Sequence, residues 1–386
     1  MKQRVIALVD CDCFFVSCER VDHPDLNGRP VCVMTGGGTK GIVVSRSAEA
    51  KALGIKMGAP MFQVQTDYPQ GIYIPGRLSR YADISARVMA VLRTFSPDME
   101  EVSIDEAYMD LTGLNRVYRM TYRDLIARIR QTVWEQAHIP VSIGLATTKT
   151  LAKLASDKAK KTGGLFLIPP DRVRPILREI GLEEVCGISR KTALKYWSKG
   201  VTTPDEFLDK DVKWIRQAFG VTGERLWYEL SGLSVIPVNP VEEAPKSIQD
   251  THALEDFTDN PDVLENTLYT HVHRASRKLR TWDGYCGTVG VVLRTKDFQV
   301  MEQDIRLERP TNSENTLLRQ ARVLLHRLYR PRVLYRATGI TLKDLVFGPE
   351  KQPSLFGATE REDDKISRLI DTLEQKFGKS VLKYGA

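Results

Sequence analysis

The sequence of 386 residues predicts an α+β protein built from several domains, since the chain is too long for one ordinary core. Residues 1–165 alternate short apolar strands with amphipathic helical segments. Residues 233–246 contain too many prolines for a helix and predict a linker. Beyond it, residues 247–346 follow the order strand, helix, strand, strand, helix, strand, which a small ferredoxin-like domain requires.

The elements before the linker can be placed one by one. Strands are predicted at Val5–Val9, Pro30–Met34, Ile42–Val44 and Val141–Ala146, and helices at Ala48–Leu53, Ser79–Phe95 and Tyr122–Gln136. The first strand follows Met1 closely, is too short for a signal peptide and ends in an aspartate, which indicates a buried strand. Residues 166–232 are predicted to be short helices interrupted by glycines.

The second half is predicted from the same periodicities. Its elements are Ser247–Leu254, Pro261–Trp282, Tyr285–Thr295, Gln299–Leu307, Ser313–Leu328 and Val333–Thr341. A tail from about residue 347 ends in one amphipathic helix, whose apolar stripe comprises Ile366, Leu369, Ile370, Leu373 and Phe377.

Composition excludes several classes of protein. A hydrophobic content of 42% and a charged content of 27% are typical of a soluble globular protein, which we expect to be cytoplasmic. No run of eighteen apolar residues is present, so no membrane span is predicted. Of six cysteines, four crowd the N-terminus without a CxxC pair or a histidine cluster, which favours reduced, mostly buried thiols over a zinc site.

The net charge of +7 permits a polyanionic partner without demanding one. The basic residues are unevenly distributed along the chain. Five lysines fall within thirteen positions: Lys149, Lys153, Lys158, Lys160 and Lys161. A solvated helix face is a common role for such a run, and Lys149 and Lys153, four residues apart, fit that interpretation.

Acidic side chains end one predicted strand and interrupt another apolar stretch. Asp10 and Asp12 follow the strand Val5–Val9, and Asp105 and Glu106 lie in Ser103-Ile104-Asp105-Glu106-Ala107. A carboxylate at the end of a buried strand is costly unless it is paired, hydrogen-bonded or bound to a metal. Neighbouring strand residues point to opposite faces, so Asp105 and Glu106 can share one site only at a strand end or turn.

Three carboxylates on two neighbouring strands suit a pair of magnesium ions, which prefer oxygen ligands and bridge to phosphates. The alternative is that Asp10 and Asp105 merely cap loops, as strand-end aspartates commonly do. Composition alone leaves both interpretations open.

The motifs resemble those of the Y-family DNA polymerases, the DinB/UmuC superfamily, over nearly the whole chain to about residue 345. The motifs are Asp10-Cys11-Asp12 followed by two phenylalanines and Ser-Ile-Asp-Glu-Ala at 103–107, with matches at Arg80-Tyr81, Phe95-Ser96-Pro97 and Glu101 between them. The resemblance implies that Asp10, Asp105 and Glu106 are catalytic and bind two Mg²⁺ ions, assisted by the Cys11 carbonyl. Asp12 is implied to support the fold.

The resemblance also implies a right-hand polymerase and its domains. These are a ferredoxin-like palm (1–26 and 76–165), small fingers (27–75), a helical thumb (166–232), a linker (233–246), a βαββαβ little finger (247–346) and a tail (347–386). The implied activity is low-fidelity, template-directed DNA synthesis past damaged bases, by a monomer that uses primer–template DNA and deoxynucleoside triphosphates.

A nucleotide pocket is implied by four matching positions. Phe15 matches the aromatic steric gate beneath the incoming sugar, with Phe14 beside it. Ser45, Lys51 and Lys160 match residues that reach the triphosphate. The family often has a tyrosine at position 48 and an arginine at 51, whereas Ala48 and Lys51 here resemble the UmuC-like branch.

Two regions resemble DNA-binding elements. Gly187, Ser189 and Lys191 lie in a stretch similar to a helix–hairpin–helix, which holds phosphates without reading bases, although a plain helix–turn–helix of the core is an alternative. In 247–346, predicted strands place basic residues on alternating faces: Arg294, Lys296, Arg332 and Arg336. By resemblance this domain lies along duplex DNA.

The tail contains Gln352-Pro353-Ser354-Leu355-Phe356, which resembles the peptide that docks bacterial polymerases to the sliding clamp. Gln352, Leu355 and Phe356 are the expected clamp-binding residues. The alternative is that the amphipathic helix folds back on 247–346 and stabilises it.

Two other functions remain to be weighed. A non-catalytic superfamily member is disfavoured by the intact carboxylate set, since such members typically lack it. Another palm-type nucleotidyl transferase, such as a nucleotide cyclase, would leave the thumb, linker and last domain unexplained.

Overall fold

A computed structural model describes residues 3–35, 41–348, 369, 371–373 and 376. The chain divides into two compact units, Met1–Glu242 and Glu243–Ala386. Both combine sheets with helices, so the predicted α+β multidomain class is confirmed. None of the helices among the described residues is both long and apolar enough to cross a membrane.

The N-terminal unit is organised on a five-stranded sheet in the order β5-β6-β1-β7-β8. Its strands are β1 (Ile6–Cys11), β5 (Met99–Glu101), β6 (Glu106–Asp110), β7 (Val141–Ala146) and β8 (Leu165–Leu167). The central strand, β1, runs antiparallel to both β6 and β7, and all six of its residues are buried. A strand covered on both faces is expected to be mostly apolar, which explains the run Ile6–Val9 before Asp10.

Helices cover both faces of this sheet. They are α1 (Phe14–Asp22), α4 (Leu78–Arg93), α5 (Leu114–Val117), α6 (Tyr122–Ala137) and α7 (Lys149–Ala159). Along β1, Ala7 and Val9 join the core that contains α4 and α6, whereas Ile6 and Leu8 join the core that contains α7. The alternation follows from the two-residue period of a strand.

The packing of α7 depends on Gly144 in β7. A Cβ atom at this position would come within 2.0 Å of the Ser156 nitrogen and 2.4 Å of the Ala152 carbonyl oxygen, both backbone atoms of α7. Glycine therefore allows the helix backbone to approach the sheet closely, which brings the side chains of α7 to the end of β1.

A smaller three-stranded sheet has the order β3-β2-β4. It comprises β2 (Val31–Met34), β3 (Val43–Arg46) and β4 (Ile72–Pro75), with helices α2 (Ala48–Ala52) and α3 (Met61–Asp67) packed into its own core. Ser47 caps α2 by accepting a hydrogen bond from the Ala50 amide, 3.1 Å away.

The rest of this unit is helical, with α8 (Val173–Arg178), α9 (Arg190–Trp197), α10 (Pro204–Leu208) and α11 (Val212–Leu230). Further single 3₁₀ turns occupy Pro24–Leu26, Pro170–Arg172 and Leu182–Glu184. The helix α11 is kinked at Gly220, whose φ of 71° is outside the helical range. The expected run of short, glycine-interrupted helices is present.

The C-terminal unit has the predicted βαββαβ order. Its elements are β9 (Ile248–Thr258), α12 (Pro261–Thr281), β10 (Gly284–Thr295), β11 (Val300–Thr311), α13 (Glu314–Leu328) and β12 (Tyr335–Phe347). The antiparallel sheet has the order β11-β10-β12-β9, and apolar residues of both helices pack on one face. The strands are longer than predicted, and β12 begins at Tyr335 rather than at Val333.

Only five positions of the tail beyond residue 348 are described, and they are helical. Gln352, Leu355 and Phe356 of the expected clamp peptide lie outside the described residues, as do Ile366, Ile370 and Phe377 of the stripe. Asp371 accepts two hydrogen bonds from Arg280 of α12, at 2.6 and 2.8 Å. The tail therefore contacts the same unit through an ion pair.

A buried carboxylate joins α1 to α4. Glu19 is 1% exposed and accepts two hydrogen bonds from Arg77, at 3.0 and 2.6 Å, and one from the Tyr81 hydroxyl at 2.6 Å. A buried charge is tolerated when its oxygens are satisfied in this way.

Arg77→Met should lower the free energy of unfolding by about 2–4 kcal/mol, because it leaves the Glu19 charge with the Tyr81 hydroxyl alone. Arg93→Gln is the control, because Arg93 pairs with Glu101 at the surface, where an ion pair contributes less than about 1 kcal/mol. Urea unfolding followed by circular dichroism measures both. Equal effects of the two variants would contradict the importance of the buried pair.

Candidate active site

Three carboxylates meet at one end of the five-stranded sheet. Asp10 near the end of β1 is the direct cross-strand partner of Glu106, the first residue of β6. Asp105 lies in the turn between β5 and β6, where the amides of Val102 and Ser103 donate to the Glu106 carbonyl at 3.0 and 3.3 Å. The turn expected from the sequence is therefore present at this position.

Cys11 and Asp12 connect this cluster to neighbouring elements. The Cys11 amide donates to the Asp105 carbonyl at 2.9 Å, which fixes the turn beside β1. Burial raises the pKa of the Cys11 thiol well above its usual value, and the charges of Asp105 and Asp10 raise it further. The Asp12 side chain accepts a hydrogen bond from Ser142 of β7 at 2.8 Å.

Two lysines of the α7 region reach the carboxylates. Lys153 Nζ lies 3.1 Å from Asp10 Oδ2 and also contacts Glu106 Oε1, and Lys160 Nζ lies 2.7 Å from Asp10 Oδ2. They are seven residues apart and so lie on the same helix face. Their charges offset the repulsion between the acidic groups.

The interpretation of Lys149 and Lys153 as a solvated helix face is wrong. Lys149 is 9% exposed and donates to both carboxylate oxygens of Glu100, at 2.6 and 2.7 Å. Lys153 is bound to Asp10 and Glu106. Close packing of α7 on the sheet turns this face inward, which helical spacing alone cannot reveal.

Asp10 and Glu106 titrate as a pair. Burial opposes ionisation of Asp10, but hydrogen bonds from Glu106 and Lys160 outweigh it, so the pKa of Asp10 is lowered. The pKa of Glu106 is raised, first by burial and then by its hydrogen bond to the Asp10 carboxylate. Asp10 thus holds the negative charge, and Glu106 is the member of the pair that holds the proton more tightly.

The two phenylalanines after the aspartates have different surroundings. A left-handed residue, Cys13 at φ 46°, turns the chain from β1 into α1. Phe14 is 3% exposed and belongs to the core, so it is not available to a nucleotide. Phe15 is half-buried and stacks on Tyr81, with ring centroids 4.6 Å apart and an interplanar angle of 16°.

The other expected nucleotide-contacting residues lie in the three-stranded sheet region. Ser45 on β3 is 8% exposed, opposite Val33 of β2. Lys51 is exposed in α2. Lys160, by contrast, is already beside Asp10.

The expected helix–hairpin–helix region consists of a single 3₁₀ turn, Leu182–Glu184, followed by α9. Gly187 adopts φ 90° between them, and a side chain there would meet open space. Ser189 caps α9 by accepting a hydrogen bond from the Thr192 amide at 3.2 Å, and both Ser189 and Lys191 are exposed. Glycine is suited to this turn because its backbone adopts positive φ without strain.

In the C-terminal unit, Arg294, Lys296 and Arg336 form a group that we call the basic cluster. The guanidinium carbons of Arg294 and Arg336 lie 5.7 and 3.8 Å from the ring centroid of Phe298, which is 60% exposed. The Lys296 ammonium lies 5.7 Å from the ring centroid of Phe257. These are cation–π contacts at an exposed surface.

Arg332 departs from its expected strand position. It lies in the turn before β12 with φ 65°, so it does not alternate with Arg336 along a strand. The strand predicted from Val333 begins two residues later, after a turn at Pro331 and Arg332.

The family comparison covers most of the chain. The model of the impB/mucB/samB family matches residues 9–157, and that of the impB/mucB/samB family C-terminal domain matches residues 245–355. The first match contains all three carboxylates of the site.

Individual relatives and solved structures agree. Protein UmuC of Salmonella typhimurium is 32% identical over 98% of this chain and 93% of its own length, and DNA polymerase IV of Desulfatibacillum aliphaticivorans is 30% identical over 100% and 97%. A Y-family DNA polymerase chimera superposes with a TM-score of 0.77 at 26% identity, over 89% of this chain and 100% of the other. With matches in both units, the chain belongs to the impB/mucB/samB family and is a Y-family DNA polymerase of the DinB/UmuC type.

Proposed function

We propose that this polymerase extends DNA primers past damaged template bases with low fidelity, and that Asp10, Asp105 and Glu106 bind two Mg²⁺ ions for nucleotidyl transfer. The observation that carries the proposal is the direct pairing of Asp10 with Glu106 across β1 and β6, with Asp105 in the adjoining turn. We propose further that the protein acts as a cytoplasmic monomer.

The donor set fits a hard divalent cation. Carboxylate oxygens, with the Cys11 carbonyl proposed as a further ligand, are the ligands that magnesium prefers. The acidic groups already attract positive charge, since Lys153 and Lys160 both contact Asp10. When bound there, two ions would stabilise the attacking 3′ oxygen of the primer and the departing pyrophosphate.

The lysines have a second role in this proposal. Lys160 has a side chain that is 38% exposed, so it can turn from Asp10 towards the triphosphate of an incoming nucleotide. Lys153 is more deeply placed, at 17% exposed, and is suited to holding Asp10 and Glu106 in position. Ser45 and Lys51 complete the expected triphosphate contacts.

Phe15 is proposed as the steric gate. Its stack on Tyr81, whose hydroxyl is held by the buried Glu19, fixes the ring in one orientation. A fixed ring beneath the sugar would leave no room for a 2′ hydroxyl, so deoxynucleotides are selected.

Contacts to DNA are proposed at two places. The Gly187 turn, with Ser189 and Lys191 exposed beside it, offers backbone amides to a phosphate. The basic cluster offers three cations, and Arg332 lies nearby in the sequence. The cation–π contacts of the cluster involve aromatic rings and no acidic side chain. Binding to phosphates at these places would not depend on base sequence.

A sliding clamp is the remaining proposed partner, through Gln352, Leu355 and Phe356. The support is the sequence of this peptide and its position after β12, the last strand among the residues that the structure describes.

Asp105→Asn and Glu106→Gln should each lower the rate of primer extension by a thousandfold or more, about 4 kcal/mol of transition-state stabilisation, while DNA affinity stays nearly unchanged. Single-nucleotide incorporation and fluorescence anisotropy measure the two quantities. Asp12→Asn is the control, because its amide oxygen can still accept the hydrogen bond from Ser142. Normal extension by either of the first two variants would refute the site.

Phe15→Ala should raise the relative use of ribonucleotides, measured as a ratio of kcat/KM values, on the order of a hundredfold. The reason is that the ring stacked on Tyr81 is lost. Phe15→Tyr keeps the ring and should keep the discrimination. If both variants discriminate like the parent, the gate lies elsewhere.

Replacing Arg294 and Arg336 together with alanine should weaken DNA binding and reduce the slope of log affinity against log salt concentration by about 2. Lys343→Ala is the matched control on the same sheet, since Lys343 is already neutralised by Glu302 and Asp304, at 3.0 and 2.8 Å. Anisotropy titrations at several salt concentrations measure the slope. An unchanged slope in the double variant would remove the basic cluster from the DNA interface.

A further inference from the structure

Two histidines and an aspartate meet in the C-terminal unit, where β9 packs against α12. Asp250 and His252 lie two residues apart on β9, on the same side as Ile248, which belongs to the core under the helices. His271 lies on the face of α12 that carries Leu268, Val272 and Ala275 into that core. Three polar side chains therefore stand together at the edge of an apolar layer.

Their donor atoms converge. One potential ligand atom from each residue lies within 4.8 Å of those of the other two. His271 Nδ1 contacts Asp250 Oδ1, and His252 Nε2 lies 3.7 Å from the same oxygen. The imidazole rings are stacked, with centroids 5.4 Å apart and an interplanar angle of 21°.

The surroundings hold polar atoms without partners among the described residues. His271 is 1% exposed, and its Nε2 atom has no hydrogen-bond partner there. The same is true of the hydroxyl of Thr338, which is fully buried on β12 directly opposite His252. Unpartnered buried polar atoms are costly in an apolar layer, so their presence beside the cluster points to a further binding partner.

We propose that Asp250, His252 and His271 form a second metal site, which binds a divalent transition metal ion such as Zn²⁺. Two imidazole nitrogens and one carboxylate oxygen suit zinc, cobalt or nickel rather than magnesium, which prefers oxygen alone.

The site is open to solvent on one side. The His252 side chain is 56% exposed and that of Asp250 is 20% exposed, so an ion can enter without disturbing the core. Arg274 Nη1 lies 2.6 Å from His252 Nε2, and this exposed side chain must turn away to solvent when a cation binds. Three protein ligands leave a fourth position for water.

The ion would join the edge strand β9 to the helix that covers it. The strand β9 pairs only with β12 among the described strands, so it has a single hydrogen-bonded neighbour. A metal bound to residues of both elements would restrain that edge, and binding to the folded form alone would raise the melting temperature. The competing explanation is a metal-free hydrogen-bond chain, in which His271 donates to Asp250 and His252 accepts from Arg274.

The test is a titration of the full, metal-stripped chain with Co²⁺ in excess Mg²⁺, which keeps the carboxylate site occupied. One equivalent of Co²⁺ should produce the intense visible absorption of a four-coordinate site with nitrogen ligands, and Zn²⁺ should displace it and raise the Tm. His252→Asn and Asp250→Asn should each weaken binding by about tenfold or more. Because His252 is exposed, its replacement should leave the fold intact, and the circular dichroism spectrum of the variant checks this.

His326→Asn is the control, because His326 is an exposed histidine of α13 in the same unit and should bind Co²⁺ like the parent. Absence of the visible band in the parent would overturn the proposal, and so would a band that persists in His252→Asn. A band that disappears instead in Asp105→Asn would assign the cobalt to the polymerase site and would also overturn it.

Discussion

The pairing of Asp10 with Glu106 across the antiparallel strands β1 and β6 is the constraint on which the rest of the candidate active site depends. It brings a buried carboxylate, Asp10, beside a partly exposed one, Glu106, with Asp105 in the adjoining turn, so that their charges repel at close range. The protein meets this constraint with Lys153 and Lys160. These lysines reach the strand only because Gly144 lets α7 pack against the sheet backbone. The charge of the acidic cluster, the position of α7 and the absence of a side chain at Gly144 therefore depend on one another.

The same strand also sets the position of Phe15, the proposed steric gate. The chain leaves β1 through the left-handed turn at Cys13, and α1 then carries Phe15 onto Tyr81. Tyr81 is held in turn by Glu19, a buried carboxylate that Arg77 neutralises. The buried acids before and after this turn, Asp10 and Glu19, are therefore neutralised in different ways. Asp10 shares Lys153 with Glu106 and also contacts Lys160, whereas Glu19 is paired in a network with an arginine and a hydroxyl.

Features that depend on local periodicity and strand ends could be predicted from the sequence: the buried strand before Asp10, the turn at Asp105 and the βαββαβ order of the C-terminal unit. The features that were predicted wrongly or missed depend on contacts between elements of secondary structure. Lys153 resembles a surface lysine until α7 is docked, although an unbalanced carboxylate cluster is itself a signal that cations must be near. Arg332 is predicted to alternate with Arg336 along a strand, yet it lies in a turn. Asp250, His252 and His271 form a group only through the packing of β9 against α12, which no spacing rule specifies.

The glycine at position 144 has a consequence for how sequence variation in this family should be interpreted. A screen for inactive alleles would score its change to alanine beside changes of the proposed ligands Asp10, Asp105 and Glu106, although one methyl group carries no chemistry. The added carbon would meet the backbone of α7, which cannot rotate aside as a flexible side chain can. The resulting shift would reach the acidic cluster through Lys153 and Lys160 while Asp10, Asp105 and Glu106 themselves remained in place. Genetic essentiality at this position would report clearance between two backbones, not participation in the reaction.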